Sequence, residues 1–328
     1  MGPAARTVKR DFEMAVVFAF CCLGFAAFND FVFKLFARKS RSRGIFIFTV
    51  GVVLTVLLVV LSALIMIFRP DWWKGYWWNE NWQATLLWGV ICGLCSVVGN
   101  ILLIESMSRL SAGVCSTVYR LNLALVIPLA VLCFHETPLW YQWIGVVLAL
   151  AAVLAFMPVG EKGPAGRGGD YVMLILAMVL RAGMGIGYKY AFDYAGASKM
   201  GVQIVNGWAW VVCGLIYYFL RERKHFGARD FIDGKMLGYG AGSGVLVTGI
   251  IFFMAWSLAA GDASIVLPIQ QMSFLATFFL GVIFLKEKVT WRKIAALGCG
   301  VAALLLLSVK SADVKPAPAA AVSAEQTD

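Results

Sequence analysis

The 328-residue chain is 61% hydrophobic and only 14% charged, with a mean hydropathy of +0.82, far from the roughly 45–50% apolar content of soluble domains. That excludes a water-soluble core and makes the length a count of membrane spans, each needing about 20 mostly apolar residues. The net charge of +10 does not point to nucleic acid, because Lys and Arg gather at span ends, as at Arg38, Lys39, Arg41 and Arg43 and again at Arg221, Arg223 and Lys224; there they set orientation and meet lipid headgroups.

Taken in chain order, the apolar stretches predict helices near 14–36, 45–68, 84–108, 112–134 and 139–157. The first is too long for the apolar region of a signal peptide and reads as a retained span. The joint at 69–82 (RPDWWKGYWWNENW) reads as an aromatic anchor at headgroup level. Residues 158–169 (PVGEKGPAGRGG) are rich in Gly and Pro and form the natural seam. Helices near 171–194, 201–220, 236–259, 263–285 and 290–309 follow, and the Ala/Pro-rich tail reads as disordered. The chain therefore divides into 1–157, a linker 158–169, 170–309 and a tail 310–328.

Sliding the sequence on itself by 151 residues superposes Gly89 on Gly240, Gly93 on Gly244, Ser106 on Ser257, Ala112 on Ala263, Glu136 on Glu287 and Trp140 on Trp291 without a gap. For the first helices a slightly larger shift pairs Asp11 with Asp170, Met14 with Met173 and Phe33 with Phe192. A repeat of five spans re-enters from the opposite side of the membrane, so the expected fold is an all-α integral membrane protein of ten transmembrane helices in two inverted five-helix repeats. Such repeats let one central site face either side by rocking, the physical basis of alternating access.

Residues 111–145 (SAGVCSTVYRLNLALVIPLAVLCFHETPLWYQWIG) and 262–298 (DASIVLPIQQMSFLATFFLGVIFLKEKVTWRKIAALG) each hold a small-residue start, a long helix, an acidic turn and a small-residue-rich last helix. This pattern resembles the end of each repeat in the EamA branch of the drug/metabolite transporter superfamily. The resemblance implies ten helices, inverted repeats and transport of small organic solutes, without a particular substrate. The Trp-rich second joint departs from the pattern, as does the repeat's proline, which is Pro128 in one half and Pro268 in the other.

A charge at bilayer depth costs about 2.5–3.5 kcal/mol on insertion scales, so it needs a partner or a wet site. Arg120 and Arg181 lie too deep for easy snorkelling; they either bind an anionic group of the solute or serve internal ion pairs. Asp30, Glu105 and Lys189 sit nearer span ends and are candidates for proton coupling or ion pairing. The 151-residue shift sets Arg120 opposite Gln271 and Asn122 opposite Ser273, polar in both halves, as expected where pseudosymmetric halves line one site. Arg120, Asn122, Arg181, Gln271 and Ser273 are the candidate substrate-binding residues, and three basic against two acidic groups favour an anionic or zwitterionic solute. Asn29, Asn100, Asn206 and Gln270 read as interhelical glue. Glu136 and Glu287 read as charge matching for the N-terminus of the helix that follows each. The glycines Gly183 to Gly187 suggest a hinge beside Arg181.

All eight cysteines lie in apolar stretches and read as packing residues. Cys92 and Cys95 form a CxxC without a second Cys/His pair, His135 and His225 are the two histidines, and no Walker A motif occurs. No metal site, cofactor or ATP drive is expected. The expected function is secondary transport of a small polar metabolite by a multi-pass protein of the plasma membrane. A membrane-embedded enzyme would need a catalytic cluster that the few acidic and His residues do not supply, and a scaffold or receptor would not need Arg120 and Arg181. Orientation carries a conflict. The resemblance implies cytoplasmic termini, whereas the joints after odd-numbered helices hold most of the Lys and Arg, which places the termini outside.

Overall fold

The computed structural model describes residues 3–39, 41–68, 81–134, 139–156, 168–225, 227, 233–260 and 269–308. The joint at 69–80, Glu136, nearly all of the 158–169 linker and the tail lie outside the described residues. The helices are α1 (Pro3–Ala37), α2 (Arg43–Phe68), α3 (Trp82–Arg109), α4 (Ala112–Arg120), α5 (Leu123–Phe134), α6 (Trp140–Phe156), α7 (Gly168–Lys189), α8 (Lys199–Tyr217), α9 (Gly234–Ala260), α10 (Ser273–Leu285) and α11 (Trp291–Ser308). Among the described residues, seven helical spans are long and apolar enough to cross a membrane, α4 and α5 counting together as one; Trp140–Ala155 and Ile269–Leu285 are shorter apolar helices.

Many small residues face inward, and many large apolar ones face outward. Ala15, Ala19, Ala26, Ala112, Ser116 and Thr117 are buried, while Phe20, Phe68, Leu132, Leu154, Leu220 and Ile283 are exposed, as expected where lipid is the solvent and close backbone approach holds the helices. The main apolar core includes Phe33, Phe36, Phe46, Leu103, Met107 and Phe274.

The helix contacts are symmetric between the halves. Helix α1 packs on α9 as α7 packs on α3; α2 packs on α9 as α8 packs on α3; α1 packs on α10 as α7 packs on α4. The pairs α2/α8, α4/α10 and α6/α11 meet across the centre. Where α2 and α8 meet they run antiparallel: Gly44 lies against Gly214 and Tyr218, Gly51 against Trp210 and Val211, and Gly207 against Thr55. A Cβ on Gly214 would come within 2.5 Å of the Phe48 amide nitrogen, so only glycine admits this backbone contact.

The repeated glycines perform the same task twice. A Cβ on Gly89 would meet the Val205 Cβ at 2.6 Å and one on Gly240 the Thr49 Cβ at 2.6 Å; Gly93 faces Ala209 and Gly244 faces Val53 in the same manner. Gly187 sits against Cys92, but Gly183 faces open space. The suggested hinge is not where the glycines are: α7 runs unbroken through 183–187, and its irregularity is a π turn at Tyr190–Tyr194. A second π turn, Tyr218–Glu222, ends α8.

Two further departures concern broken helices. The stretch 112–134 is not one helix; α4 stops at Arg120 and α5 starts at Leu123. The ninth stretch is broken at Met272, between a helical turn at 269–271 and α10.

Candidate functional site

At one end of the bundle the joints are tied together by charge. Glu222 accepts from the Ser42 hydroxyl at 2.6 Å, the Arg43 amide at 3.0 Å and the Gly44 amide at 2.9 Å, so the end of the second π turn caps α2, where unsatisfied N–H groups favour a carboxylate. Glu287 accepts from the Ala112 amide at 2.8 Å. The helix it serves is therefore α4, in the other half of the chain, rather than the α11 that follows it, because Lys286 turns the chain back through the left-handed region at φ 52°. Lys34, 4% exposed, donates to the carbonyl oxygens of Met107, at 2.6 Å, and Leu110 at the end of α3. A cation and an anion from two other segments thus bracket the short joint between α3 and α4.

The same end carries an ion-pair chain. Glu105 pairs with Arg43 and, at 3.2 Å, with Arg109, which reaches Asp170 at 2.7 Å; Arg41 meets Asp233 at 3.6 Å. Glu105 is thus an ion-pair residue of this basic end. Asp170 is 1% exposed, and its pairing explains the acid at the start of α7.

Deeper in, Asp30 of α1 is 2% exposed and Arg120 of α4 is 7% exposed. The Asp30 Oδ2 accepts from Ser116 at 2.6 Å, from Thr277 at 3.5 Å and from Arg120 Nη2 at 3.5 Å. One carboxylate thereby joins α1, α4 and α10. Asn29 beside it accepts from Ser243 at 2.7 Å, and Arg181 lies over the Tyr119 ring with its Cζ 5.1 Å from the centroid.

The helix breaks lie at equivalent places. Leu121 donates to Val118 O and Ala124 to Leu121 O; 151 residues on, Met272 donates to Ile269 O and Leu275 to Met272 O, all at 2.9–3.2 Å. Both helices are interrupted by a turn with i→i−3 bonds at matching positions, Leu121 sharing its N–H with Thr117 O at 3.1 Å; such a deviation inside a helix often marks a hinge or a functional site. Around these turns Arg120 Nε, Asn122 Oδ1, Gln271 Oε1 and Ser273 Oγ are buried without a hydrogen-bond partner. Gly113 lies against Phe278 and Ala112 against Gly281; the antiparallel register these contacts set brings Arg120 and Asn122 opposite Gln271 and Ser273. Buried polar groups are normally paired, and a group of unpaired ones calls for a ligand or water.

Of the sequence candidates, Arg120, Asn122, Gln271 and Ser273 converge on the twin breaks, with Asp30 bonded to Arg120 and Arg181 one side chain away. Lys189 is elsewhere, over the Phe134 ring with Nζ 5.0 Å from the centroid, near the Phe134–Tyr194 stack. Asn29, Asn206 and Gln270 bond across to Ser243, Tyr188 and Ser257, whereas Asn100 donates to Ser96 O in its own helix. Sequence reasoning missed Lys34, Ser116, Thr277 and Glu222. Lys34 could have been found, because it follows Asp30 by four residues and shares its helix face. Among the described residues no group of His, Cys, Asp and Glu could hold a metal, and the eight cysteines are free.

The sequence model of the EamA-like transporter family matches residues 13–157 and 170–309. The chain belongs to that family, a family of transporters, and is a multi-pass integral membrane protein. Among 24 matching chains of solved structures is a crystal structure that is 14% identical, covers 89% of this chain and 95% of its own, and superposes with a TM-score of 0.56; the likeness is one of fold. No curated protein matches the chain.

Proposed function

We propose that this protein is a secondary transporter that carries a small polar organic solute by alternating access, with two inverted repeats, 1–157 and 170–309, moving about a site at the twin helix breaks. In this reading ten spans form two five-span units joined by 158–169, and the tail from 310 takes no part in the path. The observation that carries it is the coincidence of two matching helix breaks with four buried polar atoms lacking partners. Broken helices at corresponding positions of two repeats are where transporters place their sites, because freed backbone groups and helix ends can meet a solute there.

The clasps at the basic end suit a state sealed at that end. Lys34, Glu287 and Glu222 each join segments that rocking would separate, so opening this end requires exchanging those contacts for water. The paired glycines suit rocking, since they keep α3 on α8 and α2 on α9 at contact distance without side chains to interlock. The one hydroxyl–carboxylate contact of the site, Ser116 on Asp30 at 2.6 Å, shares that oxygen with Thr277 and Arg120, which suits a junction between helices better than an activated nucleophile.

The test is solute uptake by vesicles reconstituted with the purified protein, using a broad panel of labelled metabolites. Asn122→Ala with Ser273→Ala is expected to reduce uptake of any carried solute more than ten-fold while the protein stays monodisperse. Unchanged uptake removes the site from the twin breaks.

A further inference from the structure

The polar groups at the twin breaks do not sum to zero charge. Asp30 and Arg120 form one buried pair. Arg181, on α7, has no carboxylate within reach among the described residues, and its guanidinium rests on the Tyr119 ring alone. Tyr119 precedes Arg120 on α4, so the surplus cation lies at the same level of that helix as the pair. An aromatic face attracts a cation but does not neutralise it. A guanidinium held at span depth without a counterion is costly, and a solute that supplies the missing charge relieves that cost.

The arginine beside it is half occupied. Arg120 spends Nη2 on Asp30 at 3.5 Å and leaves Nε buried and unpartnered, although guanidinium offers five donors in a planar fork that matches a carboxylate. Ser273 Oγ, itself fully buried and unpartnered, lies across the break and can donate its hydrogen to the same guest. Asn122 Oδ1 and Gln271 Oε1 are acceptors without donors, suited to a hydroxyl or N–H elsewhere on the solute.

We infer that the solute is an organic monoanion with a carboxylate head: the carboxylate settles between the free edge of Arg120 and Arg181, and its single charge cancels the surplus of Arg181. The inference rests on the transport reading above. Asp30 then sets the valence. While it holds Arg120 in balance the site lacks one negative charge, so one is what the site accepts. The other ionisable groups near Asp30 do not disturb this count. Lys34 on its own helix, bound to α3 carbonyls, and Glu287 after α10, bound to the Ala112 amide, bracket the same α3–α4 joint with opposite charges that sum to zero; Cys115 on α4 is a buried free thiol, Glu105 and Arg109 of α3 pair with Arg43, with each other and with Asp170, and the described part of α9 brings one charged group, Lys235 at its basic end.

The experiment measures thermal stabilisation and vesicle uptake with matched sets of small solutes: lactate, lactamide and malate; benzoate and benzamide; ethanolamine and inorganic phosphate. The wild type is expected to be stabilised by at least one monocarboxylate and to take it up at least ten-fold better than its amide, moving one negative charge per solute. Arg181→Gln removes the preference for the carboxylate over the amide, and Arg181→Lys retains part of it. Asp30→Asn raises the surplus by one and shifts preference from lactate toward malate, a change of valence that a merely structural role for Asp30 would not produce. Uptake of amides, ethanolamine or phosphate in place of carboxylates overturns the inference and leaves the transport reading standing. Uptake of a carboxylate with no net charge moved overturns the charge count alone. If nothing in this or a broader panel crosses, the transport reading falls and takes the inference with it.

Discussion

The basic end of the bundle and the twin breaks use the same kinds of side chain to opposite ends. At the basic end Lys34, Glu222 and Glu287 are spent on backbone carbonyls and amides of neighbouring helices, whereas at the breaks Arg120 Nε, Asn122 Oδ1, Gln271 Oε1 and Ser273 Oγ are buried and unspent. A polar group that completes its hydrogen bonds within the protein contributes to stability; one left incomplete costs about 1–3 kcal/mol and is kept for what it can bind. In the proposed transport reading, the first region holds the bundle together and the second meets the solute.

Removing Glu222 breaks the contrast hardest on the stability side. Glu222→Ala leaves the Ser42 hydroxyl and two amides of α2 without their acceptor and is expected to cost about 2–3 kcal/mol, read as a lowered midpoint of thermal or denaturant unfolding in detergent. Lys34→Met, which fills the same space but strands the carbonyls of Met107 and Leu110, is expected to cost about 2 kcal/mol. At the breaks Asn122→Ala and Ser273→Ala remove atoms that have no partners, so each is expected to change stability by less than about 1 kcal/mol while suppressing uptake. Equal stability losses at both regions would erase the distinction. The smallest effect concerns orientation. The positive-inside rule puts the basic end in the cytoplasm, so a C-terminal reporter is expected to lie on the opposite side; a cytoplasmic reporter would return the chain to the orientation the family resemblance implies.

Much of the architecture was legible because it is written in residue types with one physical use. Gly89, Gly93, Gly240 and Gly244 could be paired by spacing, and the structure gives each pair the same contact with the neighbouring helix. The breaks were not legible. The nearest prolines are Pro128, six residues after Asn122, and Pro268, four before Met272, and no glycine marks either turn. The bonds of Ser116 and Thr277 to Asp30 are made between segments far apart in the chain, which local periodicity does not report. Polar symmetry nonetheless pointed to positions beside the breaks, since Arg120 with Gln271 and Asn122 with Ser273 flank them.

Lys34 and Glu105 show the opposite failure. Each lies near a span end, where a charge in sequence looks the same whether it snorkels to lipid or caps a neighbouring helix. Lys34 proved to be deeply buried, and Glu105 joined a surface chain of ion pairs. Glu287 was recognised as a helix-capping acid, but its partner lies 175 residues away in the other half, a pairing that exists only once the two repeats are assembled.

The most direct test of the central claim is uptake by reconstituted vesicles of the wild type beside the Asn122→Ala, Ser273→Ala double variant, normalised to folded protein. The account expects at least one small polar solute to be carried by the wild type and its uptake to fall more than ten-fold in the variant at unchanged thermal midpoint. Uptake that survives the double substitution, or a wild type that moves none of the panel, would contradict it.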